Sequence, residues 1–515
     1  MRKILFFLIV CNFVGCVSVE KYNSKISEKI DPKKLKSDVA FTYRTLQKYQ
    51  PNLYWYISKD KLDSKFDSLQ KSIASPATSF EFYKKLAVVT NSIGQGHFNV
   101  YPVVKRYSKA RIKSLTKKGN GPLSQFDFEV FDNKMFVVKN KSKNNAIANG
   151  SEIVAINNTK VENLLREYAT LFTSDGYNKT LFRHGLSRKF TSYFSNQNGV
   201  LDSLKYDFKL KDSLKTVIIK RMELDSNVTK RAKISLTKIQ RKTKKQKNSL
   251  LGYDAETKKY MRNLSFMQKD SSVAVIKING FKIGDYRKCY QTFFEKIAQN
   301  KSKILVLDLR NNGGGRLNEI SNLYKYLADT TFVFLKPSEV ASKTSLMQMN
   351  YFKGSPMWLK PFQIVGAPVF YSYIYLKTYK KDGKFYTNTK IKPQKITVNN
   401  FKGKIYVLIN GGSFSASSII SSNLKGSKRA TFVGEETGGA YNGTVAGQMP
   451  NIKLPNSGLL LRVGLMTCTP FYQTEVQGRG IFPDVEIVPT ISDRINNVDP
   501  EMQWVLKEVE NLKLN

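Results

Sequence analysis

Histidine is almost missing from this chain of 515 residues, which has only His97 and His184, and cysteine is nearly as scarce, with four. Two imidazoles leave a zinc site without its usual ligands, so no metal is expected, and no nucleotide motif is present either. Cys11 and Cys16 lie in the N-terminal segment. Cys289 and Cys468 remain, and two cysteines cannot make a disulfide framework. No stretch reaches the roughly 18 apolar residues of a membrane span. Acidic residues are also few, 40 against 84 Lys and Arg, for a formal net charge of +44. Such a field favours anionic lipid or acidic partners. The excess is spread over the whole chain without zinc-finger spacing or an aromatic RNA-binding pattern, so nucleic acid is not expected as a partner. What is present is a folded composition, with 41% hydrophobic and 12% aromatic residues, long enough for roughly three or four domains.

The first residues read as a targeting segment. Arg2 and Lys3 form a charged start and Ile4 to Val14 an apolar stretch. Phe13-Val14-Gly15-Cys16 then resembles a bacterial lipobox, with Phe13 where leucine is commonest. The resemblance implies lipidation at Cys16 and a membrane anchor; a plain secretory signal is the alternative.

Asp31-Pro32 is an N-cap followed by proline at a first helical position, and Leu35, Val39, Thr42 and Leu46 recur at helical spacing. Leu62, Phe66, Leu69 and Ile73 form a second stripe, and Thr78 or Ser79 caps a third with Phe82, Leu86 and Val89. From about Gly121 to Lys220 the texture changes to short alternating strands, including Phe126 to Val130 and Met135 to Val138 around Asp132-Asn133. Gly150-Ser-Glu-Ile-Val-Ala-Ile-Asn-Asn158 resembles the PDZ signature, a fold that adds extended peptide ends to a sheet edge. Arg231 to Lys247 carries eight basic residues and no acidic one, and reads as a solvated linker. The expected division is a signal peptide (1–15), a tether (16–30) and a helical domain (31–104), then a PDZ-like domain (105–225) and the basic linker (226–265). A core domain (266–490), which carries a glycine turn and a serine turn, and a C-terminal helix (491–515) complete it.

Beyond the linker, Val273 to Ile278 reads as a strand and Asp285 to Ala298 as an amphipathic helix that takes Cys289 into the core. Ile304 to Leu307 is a buried strand running into Asp308-Leu-Arg-Asn-Asn-Gly-Gly-Gly315 and a further helix, the pattern of a crossover α/β unit. Ile405 to Ile409 is a second continuous apolar run. Gly411-Gly412 and Ser413, Ser415 and Ser417 follow it at the start of a helix carrying Ala416, Ile419, Ile420 and Leu424. A serine there lies beside unpaired N–H groups at the positive end of a helix, where an oxyanion can be held. The same residues also describe a serine-rich N-cap in an ordinary α/β fold.

Asp308, Leu309, Arg310, Asn312, Gly314 and Gly315, with the serines at 413, 415 and 417, resemble the motifs of the C-terminal processing protease and tricorn family of serine peptidases. Ile93 to His97, Val433 to Gly439 and Gly480 to Asp484 resemble three more of its phrases, in the same order. The resemblance implies a multidomain α/β fold: a ClpP/crotonase-like protease core with an N-terminal helical domain and a PDZ-like β-rich domain. It implies Ser415 as nucleophile, with backbone N–H groups of Ala416 and of Gly314 or Gly315 at the oxyanion. Ala440 stands where processing-type members carry a lysine, so the Ser/Lys dyad is not supported and His97 becomes the base, with His184 structural. The acid is less clear. By register the family's glutamate falls at Gln477, which makes Glu475 the candidate and Glu435 and Glu436 alternatives. The expected protein is a lipid-anchored serine endopeptidase of the periplasm or outer membrane that binds extended polypeptide. The competing expectations are an inactive peptide-binding envelope lipoprotein on the same fold, and an electrostatic membrane or nucleic-acid binder.

Overall fold

The computed structural model describes residues 18–223, 238–267, 272–349, 351, 355–387 and 392–514; Cys16 and the start of the basic run lie outside these. A six-stranded sheet forms the centre of the C-terminal half. Its order is Arg262–Met267, Val273–Ile278, Ile304–Asp308, Lys404–Ile409, Thr431–Gly434 and Val485–Glu486, the first pairing antiparallel and the rest parallel. Parallel strands are buried on both faces and so read as continuous apolar runs. The period of two then sorts the side chains. Ala274, Ile276, Leu305, Leu307, Ile405, Val407 and Ile409 belong to the core that includes the helices Tyr286–Gln299, Leu317–Tyr324 and Ala416–Gly426. Val273, Val275, Val306, Tyr406, Leu408 and Val433 meet Met502, Val505 and Val509 of the C-terminal helix Pro500–Leu514.

The Asp308-Leu309-Arg310 phrase fastens that last helix. Arg310 bonds both oxygens of Asp308, at 3.0 and 2.9 Å, and both oxygens of Asp499, at 2.7 and 2.8 Å, just before the helix begins. Burial raises the Asp308 carboxyl, but Arg310 and Lys277 outweigh it and hold the group below the ordinary carboxylate range.

The N-terminal helices Pro32–Tyr49, Lys59–Ser72 and Ser79–Asn91 start at Asp31, Ser58 and Thr78, each accepting a backbone N–H of its first turn. They dock on the far half of the chain through buried Asp38, which takes the N–H and hydroxyl of Ser457 at 2.7 and 2.6 Å. The strand Asn99–Tyr101 then pairs with Leu460–Arg462. His97 is carried into the C-terminal half by these two attachments.

The β-rich region is a sheet in the order Phe126–Phe131, Lys134–Asn140, Glu152–Ile156, Ser203–Leu210 and Ser213–Lys220, with Thr159–Lys160 beside Glu152–Ile156. The Gly150 to Asn158 phrase forms the third strand and its turn, with Asn157 and Asn158 at φ 48° and 64°. This region is less purely β than its sequence suggests. It includes the helices Val161–Ala169 and Thr180–Asn198, and the second packs Phe190 and Phe194 into the core. The end of the basic run is also helical, Lys238–Leu251, and its Leu250 and Leu251 pack on the central core.

Candidate active site

The chain leaves the carboxyl ends of two adjacent parallel strands, Ile304–Asp308 and Lys404–Ile409, into two tight turns lying against each other. Ligands of open α/β sheets gather at such ends. Asn312 ties the turns together: its carbonyl accepts from Phe414 N at 3.0 Å and from Ser417 Oγ at 2.8 Å, and its side chain bonds Ile278 O at 2.9 Å. Asn410 does the same from the other side, accepting from the N–H groups of Asn311 and Gly412, both at 2.9 Å. A Cβ on Gly314 would sit 2.6 Å from Ser415 Cβ and 2.8 Å from Ala416 N, so only glycine permits this approach.

Ser415 takes φ 59° and ψ −119°, a conformation that a residue with a Cβ rarely adopts. Such strain is held only where the surroundings over-determine it. The Asn312 and Asn410 bonds supply that restraint. Ser415 directly precedes the helix Ala416–Gly426, and Ala416 contributes a first-turn N–H that has no acceptor within the helix. Of the two candidate glycines, Gly314 already donates its N–H to Asn312 Oδ1 at 2.9 Å.

His97 reaches Ser415 from 318 residues away: its Nε2 lies 2.9 Å from Ser415 Oγ. Phe414 stacks on the imidazole, with ring centroids 4.8 Å apart. The ring is buried, and that burial, together with the positive charge of Arg462, pushes its pKa down to about 3. The imidazole is therefore neutral at neutral pH and free to accept a proton.

The atom that faces Nδ1 belongs to Thr444, whose Oγ1 lies 3.0 Å away and in turn donates to Asp175 Oδ1 at 3.0 Å. The direction of that second bond fixes the first: with its proton given to Asp175, the threonine oxygen accepts Nδ1–H, and Nε2 is left with its lone pair toward Ser415. Asp175 Oδ1 also accepts Gly96 N–H at 2.9 Å. Burial raises this carboxyl to about 6, against the bonds from Gly96, Thr444 and Ala440 that favour its charged form.

Neither Thr444 nor Asp175 belongs to the motifs read from the sequence. Asp175 sits in the loop before the helix Thr180–Asn198, and Thr444 opens the strand Thr444–Ala446 of a second sheet. Only the fold joins them. Glu475 is not part of the cluster. It lies exposed, because Asn442 bonds both N–H and C=O of Thr474, at 2.9 and 2.8 Å, and holds that segment against the strand with the glutamate outward. The two alternatives are engaged elsewhere. Glu435 bonds Arg183 at 2.8 Å and His184 Nε2 at 2.9 Å, and Glu436 holds Arg479 and the N–H of Gly480. His184, on the helix Thr180–Asn198, thus faces the turn after Val433 rather than Ser415.

Residues 272–487 match the sequence model of peptidase family S41, a span holding both turns and Thr444. A carboxy-terminal-processing protease of Bartonella bacilliformis is 27% identical over 240 residues, which cover 47% of this chain and 41% of that protein. Among solved structures, mature CPAF superposes with a TM-score of 0.56 at 14% identity, covering 90% of this chain and 94% of that one. Mature CPAF complexed with lactacystin gives 0.58 at 16% identity, covering 94% and 98%. These superpositions show a shared fold over nearly the whole chain. The serine and glycine turns both lie inside the span that matches the peptidase family S41 model.

Proposed function

We propose that this chain is a serine-type endopeptidase of the S41 kind that cleaves extended polypeptides in the cell envelope, with Ser415 as nucleophile and His97 as general base. The observation that carries this is the 2.9 Å approach of His97 Nε2 to a strained Ser415 Oγ at a helix start. Ser415 Oγ attacks the scissile carbonyl while Nε2 takes its proton. The charge then building on the imidazole is met through Nδ1–H by the Thr444 hydroxyl, which relays it to Asp175. This is the role of the acid in a triad, performed at one remove. The carbonyl oxygen becomes an oxyanion, with the N–H groups of Ala416 and Gly315 as its donors. His97 returns the proton to the leaving amine, and a water repeats the sequence on the acyl-enzyme.

A polypeptide substrate fits the surroundings. A cleft of about 1100 Å³, lined by Leu53, Trp55, Val340, Phe385 and Asn442 among others, opens near the strand that holds Thr444, although neither Ser415 nor His97 lines it. The sheet of the 105–225 region is the candidate PDZ-like module, adding an extended peptide end to its edge. Lipidation at Cys16 would hold the enzyme at the envelope.

A fluorophosphonate probe tests the chemistry. Labelling of the wild type is expected, with none in Ser415→Ala and a strong loss in His97→Ala. A folded wild-type chain that takes no label overturns the proposal and leaves an inactive peptide-binding protein on this fold.

A further inference from the structure

The helix Lys360–Lys377 breaks the usual pattern of a surface helix. Such a helix turns its apolar stripe inward and its polar residues to water. Here the inward face is apolar, with Ile374 buried and Phe370 stacked on Tyr351 at 4.3 Å between ring centroids. The outward face is apolar too. Phe362, Val365, Val369, Tyr373 and Leu376 follow one another at spacings of three or four, so they share one side of the helix, and they are 59–80% exposed. Met357 and Trp358, in the turn just before the helix, are 77% and 69% exposed and extend the same apolar surface.

The charge around this stripe is mainly basic. From Ala341 to Lys381 the sequence has no aspartate or glutamate and six lysines, at 343, 353, 360, 377, 380 and 381, with Glu339 and Asp382 just outside. Lys360 and Lys377 bracket the helix itself. A second copy of the chain would bring this basic surround against its own like, which costs free energy, whereas an anionic surface neutralises it. An apolar stripe flanked by lysines, with Trp and Tyr at its border, is the arrangement that lies in the headgroup region of an anionic bilayer.

We infer that the helix Lys360–Lys377 is an interfacial membrane-docking element that rests its Phe362, Val365, Val369, Tyr373 and Leu376 side in an anionic lipid surface. It lies on the bilayer rather than through it, since no described helix is long and apolar enough to cross. This contact is independent of lipidation at Cys16. It would fix the orientation of the peptidase on the membrane.

The test uses the full chain with Cys16→Ser, which cannot be acylated, and sedimentation with vesicles of phosphatidylcholine alone or with phosphatidylglycerol. Binding is expected only to the anionic vesicles, with a blue shift of tryptophan emission that Trp358→Phe removes. The triple variant Phe362→Ser, Val365→Ser, Val369→Ser leaves the net charge unchanged and lies away from the site, so its probe labelling serves as the check on folding. It is expected to partition at least tenfold less while labelling normally. Equal vesicle binding by the triple variant overturns the inference, as does failure of the parent to bind. A parent dimer that the triple variant dissolves also overturns it, because the stripe would then serve a second copy.

Discussion

His97 Nδ1 and Asp175 Oδ1 share a single hydroxyl, that of Thr444, at 3.0 Å from each. A carboxylate one bond further away still orients the imidazole, provided the threonine proton points at the acid. Removing that hydroxyl leaves a buried Nδ1–H without a partner, at a cost of about 1–3 kcal/mol. If this falls on the transition state, where the imidazole is charged, turnover drops about 10- to 100-fold. Thr444→Val is therefore expected to lower kcat by that factor with KM little changed, and Thr444→Ser to restore most of it. Glu475→Ala, exposed and outside the cluster, is expected to match the wild type in the same peptide-hydrolysis assay.

The two titrating groups of the site differ in sign. Burial lowers His97 to about 3, so the base is not the group that limits activity on the acid side. Asp175, raised to about 6, is. As pH falls through about 6 the carboxyl becomes neutral, the charge facing the relay disappears, and kcat is expected to fall with a midpoint there. Asp175→Asn should give a low rate without that acid limb. Stability moves the other way. A carboxyl whose pKa is raised by folding favours the fold below its ordinary value, about 3.9, and loses that contribution as pH rises through about 6. His97, lowered by folding, contributes above its ordinary value and loses this as pH falls through about 3. Asp175→Asn is thus expected to be as stable as wild type or more so at pH 8 by thermal unfolding, while slower in turnover.

What the sequence made legible follows from how each element is encoded. Ile304 to Leu307 and Ile405 to Ile409 are unbroken apolar runs because both faces of the parallel sheet are covered, and their boundaries differ from the observed strands by one residue. Asp31 and Thr78 could be read as caps because a capping bond is local in sequence. The helix Thr180–Asn198 was not legible. It has a weak apolar stripe, and it carries Gly185, which tolerates no Cβ because Phe172 would lie 2.7 Å from it. The Lys360–Lys377 helix is masked in the same way by Gly366, Pro368 and an apolar outer face. For the candidate site, Ser415 and His97, which the fold brings to 2.9 Å, each follow a glycine-bearing turn that is local in sequence. Asp175, in a loop, and Thr444, at the start of a short strand, stand 269 residues apart, and nothing in either neighbourhood points to the other. A search by register for a glutamate near Gly480 led to Glu475, which the Asn442 clamp holds outward.

Gly314 gives a direct test of how tightly the two turns must meet. Its φ of 95° and the 2.6 Å that would separate a new Cβ from Ser415 Cβ make Gly314→Ala strained twice over. The turn must then shift, and the serine with it. A loss of about 1–3 kcal/mol in stability is expected. Fluorophosphonate labelling should fall much further than that destabilisation explains, because a shift near 1 Å at a nucleophile costs on the order of 100-fold in rate. Labelling at the wild-type rate in a chain destabilised to this degree would show that Ser415 does not depend on the glycine turn for its position.

Asp38 tests the attachment that delivers His97. It is fully buried, and its two oxygens accept from Asn456 N at 3.1 Å, from Asn456 Nδ2 at 2.8 Å, and from the N–H and hydroxyl of Ser457 at 2.7 and 2.6 Å. Asp38→Ala leaves those donors in a closed interface without an acceptor, a loss of about 2–5 kcal/mol. The damage should not be uniform. The two cores on the faces of the central sheet contain no residue of the N-terminal helices, whereas the helices Pro32–Tyr49, Lys59–Ser72 and Ser79–Asn91 lose their hold on the 456–457 turn and then weaken the pairing of Asn99–Tyr101 with Leu460–Arg462. Hydrogen exchange is therefore expected to speed up across residues 32–101 while the central strands stay protected. Probe labelling should fall in step with that exchange, since His97 leaves Ser415 whenever the helical domain lifts. Asp38→Asn, which keeps one acceptor, is expected to lie between the wild type and Asp38→Ala on both measurements.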